Sequence, residues 1–301
     1  MDFRFSDEQD ALRDALRALL GNDGDWDALT DMGVFSFLVP AQPGGAVEAA
    51  IAFEELGLHL APGPVLWSAT AAPLVGDGVR ATGITGNDPV LIEHVDASDV
   101  VVILHDDRVE QCPVAELTDG IAGEPFDPHT PMTAYAARPS GAQIGGSAEA
   151  TALRLAGTLL ASAYLVGIAQ RALDVASAYA LERHQFGVPI GSFQAIKHML
   201  ADMYVRTQLA RSATYAAAAI LDDERGGDLA KAASTAKVLA GEAGIVNGKT
   251  AVQVLGGMGF TWEMLPHYCL KRAWVYDNAF GTGEIHALAL SDGVAAELAW
   301  T

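Results

Sequence analysis

Cysteine is scarce in this chain of 301 residues: the only two, Cys112 and Cys269, stand far apart, with no Cys-x-x-Cys pair and no adjacent histidine pair. Such spacing supports neither a disulfide framework nor a zinc site, so both are expected as small buried thiols. Paired Glu-x-x-His motifs are also missing, which excludes a di-iron carboxylate centre. Glu263 and His267 are alone at their spacing, and Glu284 and His286 fall on different helical faces, so no metal is expected. Lysine is absent from residues 1–150, which hold 25 Asp and Glu against 6 Arg, whereas residues 151–301 hold 13 acids against 12 bases. Nearly all of the net charge of −20 therefore lies in the first half. Nucleic acid and anionic membrane would be repelled by it, and an anionic ligand is expected on the second half. No basic-plus-apolar leader is seen, and Asp, Arg or Gly interrupts the apolar stretches before membrane-spanning length, so a cytoplasmic protein is expected.

What is present is mainly helical. Ser6-Asp7-Glu8-Gln9 forms a capping box, and Leu12, Ala15, Leu16, Leu19 and Leu20 give the following helix one apolar face. A short helix over Trp26–Met32 ends at Gly33, Pro43-Gly44-Gly45 marks a loop, and a further helix runs from about Val47 to Leu58 before the Pro62-Gly63-Pro64 break. The β-branched run Val100–Leu104, the turn at Asp106-Asp107 and Arg108-Val109-Glu110 predict a small β region, followed by strand fragments and a linker over 123–146. Helices are then predicted at 148–184, 192–222, 228–256 and 284–298, the pattern of a four-helix bundle. In the second of these, Leu200, Met203, Tyr204, Thr207 and Ala210-Arg211 follow the helical period. The expectation is a mainly α chain with a small β middle domain, divided at 1–75, 76–146 and 147–301.

Two motifs carry chemistry. Gly256-Gly257-Met258-Gly259 follows a helix rather than a strand and lacks a following Lys-Ser or Lys-Thr, so it is neither a P-loop nor a Rossmann turn. A helix stop explains one of its glycines. Clustered glycines also let backbone approach a flat ring or a diphosphate closely. Arg183 could clamp such a diphosphate bidentately, or be an ordinary charge at a helix end.

Arg183-His184-Gln185-Phe186-Gly187, Pro189-Ile190, Phe193-Gln194, Leu200–Met203 and Gln253–Phe260 resemble the C-terminal bundle of the acyl-CoA dehydrogenase family, and Ser6–Leu20 resembles its opening helix. The resemblance implies FAD held between two subunits, with Arg183, Phe186, Gln253, Gly256 and Gly257 reaching the ADP part of a cofactor seated in the neighbour, assisted by Gln194. It also implies a carboxylate base that removes the substrate α-proton. The family's Tyr-Glu-Gly-Thr segment is matched by Ala279-Phe280-Gly281-Thr282, which places Phe280 at the base position. The alternative position, ten residues before the glycine matched to Gly167, is Gly157, followed by Thr158 where many relatives have arginine. Glu284 is a candidate displaced base, or a carboxylate at the positive end of a helix. The family's Thr-Glu-Pro-x-x-Gly-Ser loop and Trp-Ile-Thr/Ser strand are missing from 76–146.

The expected protein is therefore one subunit of a heteromeric α2β2 acyl-CoA dehydrogenase with no catalytic residue of its own, resembling the short subunits of actinobacterial steroid-degrading dehydrogenases. Its FAD would be shared with a longer partner that carries the catalytic Glu. A self-sufficient enzyme with a displaced base and a non-catalytic structural or regulatory paralogue are the alternatives.

Overall fold

The computed structural model describes residues 5–21, 25–85, 90–223 and 226–298, with side chains described as far as residue 292. Helix α1 (Asp7–Leu20) opens on the expected box, in which Ser6 Oγ accepts from the Gln9 amide at 3.2 Å and the Gln9 side chain accepts from the Ser6 amide at 3.0 Å. After α2 (Trp26–Asp31) comes α3 (Ala46–Leu58), whose first amides are capped from far along the chain. The Asp222 carboxylate accepts from the Ala46 and Val47 amides at 2.6 and 3.1 Å.

Helix α4 (Val65–Val75) was not anticipated from the sequence. Its residues Val65 to Ala72 are all buried, so it has no polar face from which a helical period could be read.

Among the described residues seven short strands follow: β1 (Ala81–Ile84), β2 (Val90–Glu93), β3 (Val100–Leu104), β4 (Val109–Pro113), β5 (Ile121–Ala122), β6 (Met132–Tyr135) and β7 (Ala142–Gly145). They form two open sheets of order β1-β3-β4-β7 and β2-β6-β5. The anticipated hairpin is β3–β4, with Val101 opposite Cys112 and Ile103 opposite Glu110. Ile84, Val90, Ile92, Val101, Ile103 and Cys112 make a separate small core there.

The rest is helical apart from a small hairpin after the first helix: α5 (Ser147–Glu182), α6 (Gln194–Asp222), α7 (Leu229–Leu255), α8 (Pro266–Asn278) and α9 (Gly283–Leu298). The helices α5, α6 and α7 pack on one another, α8 on α5 and α7, and α9 on α7. Within α6, Met203, Thr207 and Ala210 face inward as their period requires, but Tyr204, expected beside them, is 55% exposed. Helix α8 escapes sequence reading because its inward face includes the polar residues His267 and Arg272, the latter buried through partners elsewhere in the chain.

One apolar core runs from α1 and α3 through the sheet β1-β3-β4-β7 into the bundle. Close contact of α3 and α5 depends on Gly57 and Gly167, since a Cβ at either would overlap backbone of the other helix. Contrary to the expectation that no apolar stretch reaches membrane-spanning length, α5 is long and apolar enough by length and composition. Of its most apolar window 78% is buried inside the protein, as in a core helix.

Candidate functional site

Arg183 ends α5, and its carbonyl accepts from the Ile190 amide at 2.7 Å, so the chain folds back over the helix end. The returning segment is a hairpin of two-residue strands, β8 (His184–Gln185) and β9 (Val188–Pro189). Phe186 and Gly187 form its tip with φ of 51° and 82°. Both are left-handed, as a two-residue turn matched to strand twist requires, and the conformation is costly for a phenylalanine. Phe186 is 94% exposed and meets Phe193 edge-on, at 6.2 Å between ring centroids.

Helix α7 stops at Gly256, with φ of 62°, and a 3-10 turn runs over Gly256–Phe260. The three glycines there have different causes. Gly256 needs its left-handed backbone, and Gly259 lies on the Val252 backbone, where a Cβ would stand 2.7 Å from the carbonyl oxygen. At Gly257 an added Cβ would meet nothing within 4 Å, so packing within this chain does not demand a glycine.

The hairpin and this turn face each other across a groove of about 490 Å³ that brings together Arg183, Gly256 and Gly257. Tyr179, one turn before Arg183, also lines it and was missed by sequence reading, the helical spacing being the available signal; Gln185, Ile190 and Met258, which stand in the motifs but were given no role, line it as well. Arg183 is exposed and has no side-chain partner among the described residues. Gln253, on the last turn of α7, and Gln194, the first residue of α6, are both exposed. Neither of these glutamines nor Phe186 lines the groove itself.

A second centre surrounds Phe280. Its ring is buried, tilted against Trp67 with centroids 4.7 Å apart, and lies where a side chain at Gly157 would have to be. The two positions that the resemblance marks for a carboxylate thus meet, and the space between them is filled by hydrocarbon. Phe280 has a left-handed φ of 56°. Buried Lys237 supports this conformation, its ammonium lying 2.6 to 3.1 Å from the carbonyls of Tyr276, Asp277, Ala279 and Gly281. Burial lowers this lysine to about 8, opposed by Asp277. Thr158 is buried and donates to the Arg154 carbonyl at 2.8 Å, and Glu284 stands exposed in the first turn of α9.

Beneath Phe280, buried Arg272 pairs with Asp127 and donates to the carbonyls of Leu60 and Ala61 at 3.2 and 3.1 Å and to the Tyr164 hydroxyl at 2.7 Å. Burial alone would push Asp127 up, but Arg272, Thr130 and the His129 amide hold it below the usual carboxylate range. Among the described residues no group of three or more His, Cys, Asp or Glu is placed to hold a metal ion. Cys112 and Cys269 are buried free thiols, as expected.

The helical bundle with its short Gly-Gly turn, set behind a small β region, defines a fold shared with known proteins. Residues 152–295 match the acyl-CoA dehydrogenase C-terminal domain. Acyl-CoA dehydrogenase IpdE2 of Mycolicibacterium smegmatis is 30% identical over 282 residues, covering 88% of this chain and 86% of that protein. The chain belongs to the acyl-CoA dehydrogenase family. Among solved structures, the ChsE4-ChsE5 complex from Mycobacterium tuberculosis superposes with a TM-score of 0.78 at 21% identity, covering 98% of this chain and 99% of that one. A Tcur3481-Tcur3483 steroid ACAD variant gives 0.79 at 19% identity, over 97% and 99% of the two chains.

Membership implies FAD-dependent dehydrogenase chemistry, and the two centres differ in how they fit that cofactor. The groove suits the ADP end, with an exposed guanidinium opposite glycine backbone that has open space before it. The space beside Phe280 does not suit a flavin ring, since only about 170 Å³ remains among Trp67, Glu93, Met132 and Phe280.

Proposed function

We propose that this chain is one subunit of a heteromeric FAD-dependent acyl-CoA dehydrogenase, built from units 1–75, 76–146 and 147–301, and that it completes a flavin site seated in a longer partner. Bound FAD supplies the two-electron acceptor for α,β-desaturation of an acyl-CoA thioester. Arg183 binds the cofactor diphosphate, the backbone of Gly256 and Gly257 approaches it closely, and Phe186, Gln194 and Gln253 border it across the subunit boundary. The partner holds the catalytic Glu, and two copies of each chain form an α2β2 assembly.

The observation that carries this reading is the contrast between an open, glycine-lined groove beside an arginine unpaired among the described residues and a base position filled by the Phe280 ring against Gly157. A hydrocarbon there cannot take a proton from a substrate α-carbon. The similarity to chains of the ChsE4-ChsE5 complex and of a steroid ACAD supports a mixed assembly and a steroid-derived acyl group.

The test is Arg183→Ala in the complex copurified with the longer subunit. Flavin content, read from its absorbance per protein, should fall at least about tenfold, the loss of one charge-assisted bidentate contact, while size-exclusion chromatography shows the assembly intact. Full flavin occupancy in the variant would rule out the diphosphate role. Stoichiometric flavin and dehydrogenase activity in this chain alone would remove the proposal altogether.

A further inference from the structure

A third cavity, of about 460 Å³, lies between the loop after α2, the end of α4, the first turns of α5 and the last turn of α6. It shares no wall residue with the groove at Arg183 or the cleft at Phe280. Phe37, Leu38, Pro40, Leu74, Leu153 and Ala156 supply apolar walls. Apart from exposed Gln42, the polar side chains around them are already occupied within the chain. Thr70 Oγ1 donates to the Leu66 carbonyl at 2.6 Å, Glu149 accepts from the Gly146 amide at 2.8 Å, and Asp222 caps α3.

The walls are also held apart before any ligand arrives. The Phe37 ring packs beneath Gly44, whose φ of 103° suits only glycine, and Asp222 pins the end of the same loop to α6. A preformed, largely apolar concavity of this volume with few polar groups left to pair is the usual form of a site for an apolar small molecule. Charge narrows the class. Among the described residues the lining contains the carboxylates of Glu149 and Asp222 and no Lys, Arg or His, and it lies largely in the half of the chain that carries nearly all the negative charge. An anion would be repelled.

We propose that this pocket binds a neutral, apolar small molecule and discriminates against carboxylates, phosphates and CoA thioesters. The proposal is independent of the flavin role, because the two sites share no residues.

The test uses two dyes with the same ring skeleton on the full-length chain: neutral N-phenyl-1-naphthylamine and its sulfonated counterpart, 8-anilinonaphthalene-1-sulfonate. Fluorescence titration should show the neutral dye binding at least about tenfold more tightly. Ala156→Trp, which fills the pocket from α5, should abolish that binding, and Leu74→Trp should do so from the opposite wall, with thermal melting by circular dichroism identifying the variants that keep the fold. Equal affinity for the two dyes, no saturable binding of the neutral dye, or neutral-dye binding undiminished in a folded variant would overturn the proposal.

Discussion

Glu93, at the end of β2, borders the small cleft beside Phe280, where burial pushes its carboxyl up to about 7 against the opposing field of Arg272. The folded protein therefore prefers this group protonated. Folding takes up a proton between the ordinary value of 4.5 and about 7, so the associated stability is complete below 4.5 and lost as pH rises through 7. Glu93→Gln, which is neutral throughout, should exceed the wild type at pH 8 by about 2–3 kcal/mol in urea unfolding, with the gain vanishing near pH 4. Arg272 answers to the opposite logic. Arg272→Leu leaves Asp127 charged and buried without its ion-pair partner and takes a donor from the Leu60 carbonyl, whereas the Ala61 carbonyl still accepts from the Tyr164 hydroxyl, a loss expected at roughly 3–5 kcal/mol. A change below about 1 kcal/mol would mean that water reaches the site. None of these partnerships could be read from the sequence, because Arg272 and Asp127 are 145 positions apart and each looks like an ordinary surface charge.

At the level of elements, what was legible depended on whether a signal was local. The Ser6 capping box, the β3–β4 hairpin and the ends of α5, α6 and α7 rest on residues within a few positions of one another. The start of α3 does not. Gly45 offers it no side chain, and the cap comes from Asp222, 176 residues from Ala46. Asp222→Ala should therefore destabilise the protein by about 1 kcal/mol, with Asp222→Asn retaining most of it, measured by chemical denaturation. Helices α4 and α8 were illegible for opposite reasons: the first is buried on all sides and shows no period, and the second buries polar groups that a period-based reading assigns to the surface.

Across the whole molecule, the uneven charge and the two contrasting centres bear on assembly. Under the proposed function, the groove at Arg183 takes the ADP end of a cofactor, the closed base position leaves proton abstraction to another chain, and a second, different chain brings the flavin ring and the carboxylate. Under the proposed function, the copurified complex should contain one FAD per pair of different chains, and this chain alone none, by absorbance and mass measurement. Two FAD per pair would mean that this subunit seats a flavin of its own.

The sequence by itself determined the helical frame, the small β region, the acidic first half and the motifs that place the chain near its family, because each depends on residue identity and short-range spacing. It also supplied Arg183, Gly256 and Gly257 as candidates for one site, although they are more than 70 positions apart, and only folding α5 against α7 brought them to one groove. That Gln194, Gln253 and Phe186 lie outside its walls was decided by the tertiary structure. So was the meeting of Gly157 with Phe280 across the α5 and α8 packing, since which side chain fills a given space is a property of two elements in contact and of neither alone.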